Sequence, residues 1–406
     1  MNNVSAGLTE VKMPAKVEPA TAADSNKGEF TNFLFASNTW MLALGGIYPG
    51  DVVQRHRKTG RTVIAVSVAI FSSFLVLFIL NCYYKTMTPA NMLLESSGNI
   101  QSLISVMVCS LTISKDIKRL KMYVHNYDKQ YCFRPSAAKI KRLIVFTILT
   151  MIMIILVKVI VVALQPSQVH STWLSQSPWI YVGRCVTTIT FIASAAQTCG
   201  FSILILSMFH ILRCEFSQIN EKLTQVVKSD DPKAEEITDT LMCQHEALAR
   251  ILSQTSTCSQ FFSFIIIVMT LIWNGVYFYV TVSQSVSINE NIFIWTTISW
   301  AMTCVAGFLL MQAYLASKAQ APLAYIWMLN KNRFSDRGLL KLNLWVSRLT
   351  ADPIAYTIYG FITINYPTVT AILGTVVTYL FVVLQFGSPS ETQCKMPPGN
   401  VSVNIQ

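Results

Sequence analysis

Residues 368–386 read TVTAILGTVVTYLFVVLQF, nineteen consecutive positions without a charged side chain. As a helix rising ~1.5 Å per residue, this stretch is about 28 Å long, close to the hydrocarbon thickness of a bilayer. It belongs to a longer apolar run over 354–386 that Asn365-Tyr366-Pro367 interrupts. Proline lacks the backbone N–H and disfavours helix at its predecessor, so the run is expected to form a short helix, a break and a spanning helix. Reading toward the N-terminus, further apolar segments lie at 63–80, 93–113, 143–164, 179–208, 258–286 and 292–315. The expected fold is therefore an all-α membrane protein with seven transmembrane helices, the last broken into two parts.

Composition agrees. The chain has 406 residues, 52% hydrophobic and 13% charged, with a mean hydropathy of +0.46. Ordinary soluble domains carry about 25% charged residues, so a string of soluble domains is a poor description, and disorder is excluded for the bulk. The formal charge of +11 would suggest nucleic acid as partner in a soluble protein. Its distribution says otherwise. Of 31 Lys and Arg, 27 lie in 1–62, 114–142, 209–257 and 316–353, while the alternate connections hold only Lys85 and Lys395. By the positive-inside rule the rich side is cytoplasmic. The N-terminus is then cytoplasmic, the C-terminus extracellular, and no nucleic-acid partner is expected.

Residues 1–62 are accordingly expected to form a cytoplasmic N-terminal region, polar and disordered to 29, in which 30–48 reads as an interfacial helix or an additional span. Spans one to four occupy 63–208, a cytoplasmic helical anchor segment 209–257, spans five and six 258–315, and further cytoplasmic anchor helices 316–364. The final spanning helix is assigned to 365–386 and an extracellular tail to 387–406. Within 209–257, Asp230-Asp231-Pro232 marks a turn between two helical halves. These form an intracellular bundle or a solvated charged hairpin.

Catalytic and metal-binding patterns are missing. The ten cysteines include no CxxC pair and the five histidines no HExxH, and neither phosphate-loop fingerprint occurs. Neither an enzyme nor a cofactor is expected. Of the sequons at Asn3 and Asn400, topology leaves only Asn400 open to glycosylation. Asp352-Pro353-Ile354-Ala355-Tyr356 matches the DPxxY variant of G-protein-coupled receptors. It precedes the last apolar run instead of ending it, and the termini are inverted, so the match is put down to chance.

On the final helix, Thr378, Gln385, Gly374 and Ala371 fall on one small and polar stripe, with Tyr379 and Phe386 on an adjacent one. Such a face turns toward other helices or water, not lipid. Packing within one bundle and lining of a pore both satisfy it. Residues 378–386, TYLFVVLQF, match TYhhhhhQF (h, hydrophobic) at every fixed position, and YGFITIN at 359–365 precedes them. This ending resembles that of the insect gustatory receptors, within the insect chemoreceptor superfamily of seven-transmembrane ligand-gated ion channels.

The resemblance implies a gustatory receptor acting as a ligand-gated non-selective cation channel. It implies a homo- or heterotetramer in the plasma membrane of gustatory receptor neurons, surrounded by membrane lipid and passing permeant cations. The last helix would line the pore, with Phe386 as an apolar gate, Gln385 beside it at the outer constriction, and Thr378 and Val382 further in. A small-molecule tastant would bind in an outward-facing pocket among spans two to six. The candidates there are Gln101, Arg184, Asn274, Tyr277, Trp295, Thr296, Ser299 and Trp300. Interfacial anchoring and interhelical bonding are the plainer roles for the aromatic and polar members. Lys158 and Arg184, within spans, face the pocket or snorkel outward. Leu380 stands where sugar-receptor branches commonly carry an acid, which weighs against a sugar ligand. An odorant receptor of the same superfamily and a secondary transporter using the broken last helix are the alternatives.

Overall fold

Prolines bound the longest helices. Residues 179–231 and 233–321, set off by Pro178, Pro232 and Pro322, contain no internal proline; the first becomes one long helix and the second becomes two. The computed structural model describes residues 31, 34, 35, 114–131, 133, 140, 142, 145, 146, 149, 152, 179–229, 232–283, 288–351 and 354–387. In chain order its elements are α1 (Ser114–Tyr131), α2 (Trp179–Lys228), α3 (Ala234–Ser283), α4 (Ile288–Gln320), α5 (Pro322–Trp327), a 3₁₀ turn (Lys331–Arg333) and α6 (Asp336–Ala351). Two strands, β1 (Tyr356–Ile358) and β2 (Ile362–Ile364), then lead into α7 (Tyr366–Gly387).

At 50 residues each, α2 and α3 are about 75 Å long, far more than a bilayer's hydrocarbon core of about 30 Å. They run without interruption through positions 208/209 and 257/258, where the composition changes from apolar to mixed-charge. Their mixed-charge portions pack together. Ile211, Leu212, Phe216, Ile219 and Leu223 of α2 recur at helical spacing and are buried with Leu241, Leu248, Ile251 and Leu252 of α3. Ile117, Leu120 and Val124 of α1 and Leu309, Ala313 and Ala319 of α4 complete the same core.

Several polar groups inside it are paired, although Asn220 Oδ1, Gln312 Oε1 and Trp345 Nε1 are buried without a hydrogen-bond partner among the described residues. The Tyr127 hydroxyl donates to Glu215 at 3.0 Å and accepts from the Gln244 amide at 2.9 Å. Burial and the Glu215 carboxylate both push the Tyr127 phenol well above its ordinary pKa. His245 lies against the Ala319 carbonyl at 2.8 Å. A carbonyl can only accept, so Nε2 carries the proton. Phe216 and Trp345 meet the imidazole edge-on, at 5.4 and 5.5 Å between ring centres. This burial pushes the His245 pKa down to about 4.

A ladder of polar contacts docks α6 alongside α3. The Ser335 N–H and O–H both donate to Glu235, at 2.8 and 2.7 Å. Lys341 pairs with Asp239 at 2.8 Å and Arg348 with Glu246 at 2.7 Å. These are surface pairs, each worth at most about 1 kcal/mol. Burial of Leu342, Trp345 and Leu349 between the rungs supplies the larger share.

The segment before α7 departs from expectation. Residues 356–364 form a two-stranded antiparallel hairpin, with Tyr356 opposite Ile364 and Ile358 opposite Ile362, not a short helix. The fold is thus mostly helical, not all-α, and the anchor helices assigned to 316–364 end at Ala351. Both strands are rich in residues that favour the extended chain: Thr357, Ile358, Ile362, Thr363 and Ile364 are all branched at Cβ. Between them Tyr359 and Gly360 have φ of 51° and 72°, and the Phe361 N–H closes the turn on the Ile358 carbonyl at 3.0 Å. Positive φ at both central positions is the backbone of a type I′ turn, whose twist suits a hairpin. Tyr356, last residue of the DPxxY match, opens β1. It is buried against Phe209, with 5.0 Å between ring centres, and lies ahead of the final helix.

The exposed backbone edge of β1 is covered by one side chain of α3. The Ser256 hydroxyl accepts from the Thr357 N–H at 2.9 Å and donates to the Thr357 carbonyl at 3.1 Å. Ser256→Ala therefore leaves two partly buried backbone groups unpaired and is expected to cost about 1–3 kcal/mol, read as a lower melting temperature of the purified protein. His245 predicts a pH effect. Its folded pKa lies below its ordinary 6.5, so the unfolded chain takes the proton first. Stability then falls as pH drops from about 6.5 toward about 4, by up to about 1.4 kcal/mol per pH unit. In thermal denaturation across that window, His245→Gln is expected to flatten the slope.

Candidate functional site

The final helix begins at a built cap. The Asn365 side-chain oxygen accepts from the Thr368 N–H at 2.9 Å and from the Thr368 hydroxyl at 2.8 Å. It thereby satisfies a donor that the first helical turn leaves unpaired. Pro367 sits in that first turn, where its missing N–H costs nothing. The expected interruption at 365–367 is thus the change from hairpin to helix.

From there α7 presents two unlike faces. Val369 and Val376 are buried, with Ile372 and Leu373 half-buried between them. At ~100° per residue these four lie on one side. Ala371, Gly374, Thr378, Val382 and Gln385 are all exposed and centre on the opposite side. The stripe noted in the sequence is therefore the face that this chain does not cover. A Cβ added at Gly374 would meet nothing within 4 Å.

The polarity of the exposed side is partly satisfied within the helix. The Thr370, Thr375 and Thr378 hydroxyls donate to the carbonyls four residues earlier, at 3.0, 2.9 and 2.9 Å. Their methyl groups are left as the outward chemistry. Gln385 carries an amide able to offer both a donor and an acceptor.

Tyr379 lies at the seam between the faces and is half exposed. Its ring rests on Gly275 of α3: a Cβ built there would come within 3.1 Å of both Cε1 and the hydroxyl oxygen. The absent side chain lets the two helices approach at this point.

Phe386 lies on α7, Arg184 on α2, Asn274 and Tyr277 on α3, and Thr296 and Trp300 on α4; their side chains are outside the described ones. Trp295 and Ser299 of α4 are exposed, and the Ser299 carbonyl accepts from Thr303 at 2.7 Å. Gln101, Lys158 and Asn400 lie outside the described residues. Among the described residues, two adjoining cavities of about 340 and 190 Å³ lie between α3 and α6. Met242, Lys341 and Trp345 border both, and neither includes a predicted pocket residue. Asn365 was read in the sequence as part of the interruption but not as a cap, although it carried the signal, a capping residue just before a proline and an apolar run. Ser256 and Gly275 carried none, because each acts on a partner about a hundred residues away.

A family model described as 7tm Chemosensory receptor matches residues 37–388. The fold is similar to that of the insect olfactory receptor OR5 from Machilis hrabei in complex with eugenol. The TM-score is 0.66 at 13% identity, over 89% of this chain and 100% of that one. A second structure of the same receptor gives a TM-score of 0.61 at the same identity and coverage. At such identity the likeness is one of fold. Comparison with curated proteins yields no match.

Gly275→Ala should displace the Tyr379 ring and shift α7 against α3. The expected outcome is a lowered melting temperature that Tyr379→Leu, which removes the crowded ring end, restores in the double variant. Additive losses in the two single variants and their combination would contradict the contact.

Proposed function

The chain belongs to the 7tm chemosensory receptor family, and from this we propose that it is a gustatory receptor working as a ligand-gated, non-selective cation channel. Membership makes it a membrane receptor and not an enzyme. The proposal adds seven spans with a cytoplasmic N-terminus, a tetramer of this chain alone or with related receptors, and a pore lined by one α7 from each subunit.

One observation carries the reading: Thr378, Val382 and Gln385 lie on the side of α7 turned away from the face packed on its own chain. A monomer has no use for a stripe of small and polar groups on that side, whereas four copies facing an axis do. Phe386 then narrows the outer end and blocks conduction by excluding water, with the Gln385 amide meeting hydrated cations beside it. Small-molecule tastants are proposed to bind among the outer portions of α2, α3 and α4, where Arg184, Asn274, Tyr277 and Trp295 are carried. Of the two alternatives, an olfactory role draws on the fold shared with OR5, and the intact TYLFVVLQF ending supports the gustatory one. The transporter reading leaned on a broken last helix. That feature is a hairpin followed by one continuous helix.

Expression in a heterologous cell, with recording against a broad tastant panel and co-expressed partners, is the direct test. Phe386→Ala is expected to raise basal current several-fold, and Gln385→Ala to change conductance or gating. Unchanged currents from variants that reach the surface would overturn the pore assignment. Stoichiometric, saturable uptake without channel-like openings would favour transport.

A further inference from the structure

Two helices leave the apolar part of the molecule side by side, and the first charge on each meets the same ring. On α2, residues 185–212 carry no Asp, Glu, Lys or Arg, and Arg213 ends the run. On α4, residues 291–317 carry none, and Lys318 ends it. Phe209 meets Phe308 edge-on at 6.0 Å between ring centres, and the Asn220 amide donates to the Lys318 carbonyl at 3.0 Å. The helices therefore run parallel here, and their uncharged runs end at one level. At that level the Arg213 guanidinium lies 5.2 Å and the Lys318 ammonium 5.6 Å from the centre of the Tyr314 ring. Arg213 is exposed, and Tyr314 and Lys318 are half-buried.

The rest of α4 identifies what surrounds this cluster. Trp295, exposed near the start of the helix, precedes Tyr314 by nineteen residues, about 28 Å of helix. That is close to the separation of the two bilayer interfaces, where Trp and Tyr collect. Between them Thr303, Gly307 and Leu310 are exposed. With Tyr314 and Lys318 they recur every three or four residues, within an arc of about 80°. Met311 is exposed at the border of that arc. In a membrane receptor this is a lipid-facing stripe. Arg213 stands beside its end and Lys318 one turn further, at headgroup depth.

We propose that Arg213 and Lys318, gathered on Tyr314, bind the headgroup of an anionic phospholipid whose acyl chains lie along Leu310 and Met311. A cation over a ring is held by the quadrupole of the ring. It keeps its N–H donors, five on a guanidinium and three on an ammonium. Tyr314 thus concentrates two like charges without neutralising them. Among the described residues neither cation is ion-paired. Glu215 is buried and takes the Tyr127 hydroxyl, Glu221 is two turns further along α2, and α4 holds no acid after Glu290. A phospholipid brings the missing anion at this depth, with chains that fit the stripe. A soluble anion or an acidic protein would leave Leu310 and Met311 unused. The inference rests on the proposed reading of α2 and α4 as spans, and orientation decides only which leaflet is meant.

The full-length receptor would be reconstituted in vesicles of equal parts phosphatidylcholine and phosphatidylserine, and its insertion checked by alkali-resistant flotation with them. It is then re-extracted in mild detergent, and its retained lipid quantified by mass spectrometry. Wild type should hold phosphatidylserine in preference. R213Q and K318Q should each reduce the preference by at most about fivefold, and R213Q/K318Q should bring it to parity, while R213K/K318R keeps it. Y314F retains the ring and should match wild type; Y314L releases the two cations and should lower the preference. K222Q/K228Q removes the same charge from exposed positions about 13 and 22 Å further along α2, beyond the screening length, and should change nothing. Inorganic phosphate should displace no more lipid than chloride at the same ionic strength. Parity in an inserted wild type, a preference that survives R213Q/K318Q, or an equal loss in K222Q/K228Q each overturns the proposal and leaves the spans intact. Displacement by phosphate overturns it in favour of a free anion. Failure of the wild type to float overturns the span reading and the proposal with it. No current is read, so the result stands apart from the channel reading.

Discussion

A helix about 75 Å long cannot be buried in a bilayer of about 30 Å, and this mismatch organises the molecule. Both α2 and α3 carry some 40 Å of helix beyond the hydrocarbon, where lipid no longer covers their sides. That overhang has to find partners. It does so by packing with α1, the end of α4 and α6 around Phe216, Leu248 and Trp345, with Glu215, His245 and Gln244 tied into hydrogen bonds as they are buried. The strand β1, fixed to Ser256, and the helix α7, resting on Gly275, lean on α3 further along. One continuous element thus touches the packed overhang, the hairpin and the signature helix. A displacement of α3 at any of these contacts is presented to the others through unbroken backbone hydrogen bonding.

The turn between α2 and α3 was legible because proline acts locally: Pro232, after Asp230-Asp231, says where a helix can start whatever surrounds it, and Pro178 and Pro322, which the apolar pattern did not single out, act in the same way. The final helix was legible for a related reason, its length and its ending being contained in nineteen consecutive residues. The hairpin was not. Residues 354–364 are almost wholly apolar, which removes the alternation that marks a half-buried strand, and an apolar run of that length fits a helix equally. The discriminating information lay in Cβ branching at 357, 358 and 362–364 and in the Tyr359-Gly360 pair, a weaker turn signal than Asn-Gly. Ser256 and Gly275 were beyond reach altogether. A serine that covers a strand edge and a glycine that receives a tyrosine are ordinary residues until the partner's position is known.

The site also shows why residue type alone overstates polarity. Three threonines on α7 look hydrophilic in the sequence, yet each hydroxyl bonds the carbonyl one turn back. Their outward-facing atoms are methyl groups, so the exposed side of α7 is drier than its composition implies. Gln385 is then the described position on that side whose amide remains available, and it stands beside the expected constriction.

The opposition of the two faces of α7 has a consequence for heredity. Changes at Val369, Ile372 or Val376 strike the chain's own fold, and such alleles should fail in biosynthesis before any question of conduction arises. Changes at Ala371, Thr378 or Gln385 meet no resistance from within the subunit. They can accumulate in proteins that mature normally, so under the proposed pore assignment selection on those positions would come from the assembled receptor at work. One helix would thereby be exposed to two separate selective pressures, and divergence of pore properties between duplicated receptors could proceed without jeopardising either copy's ability to fold.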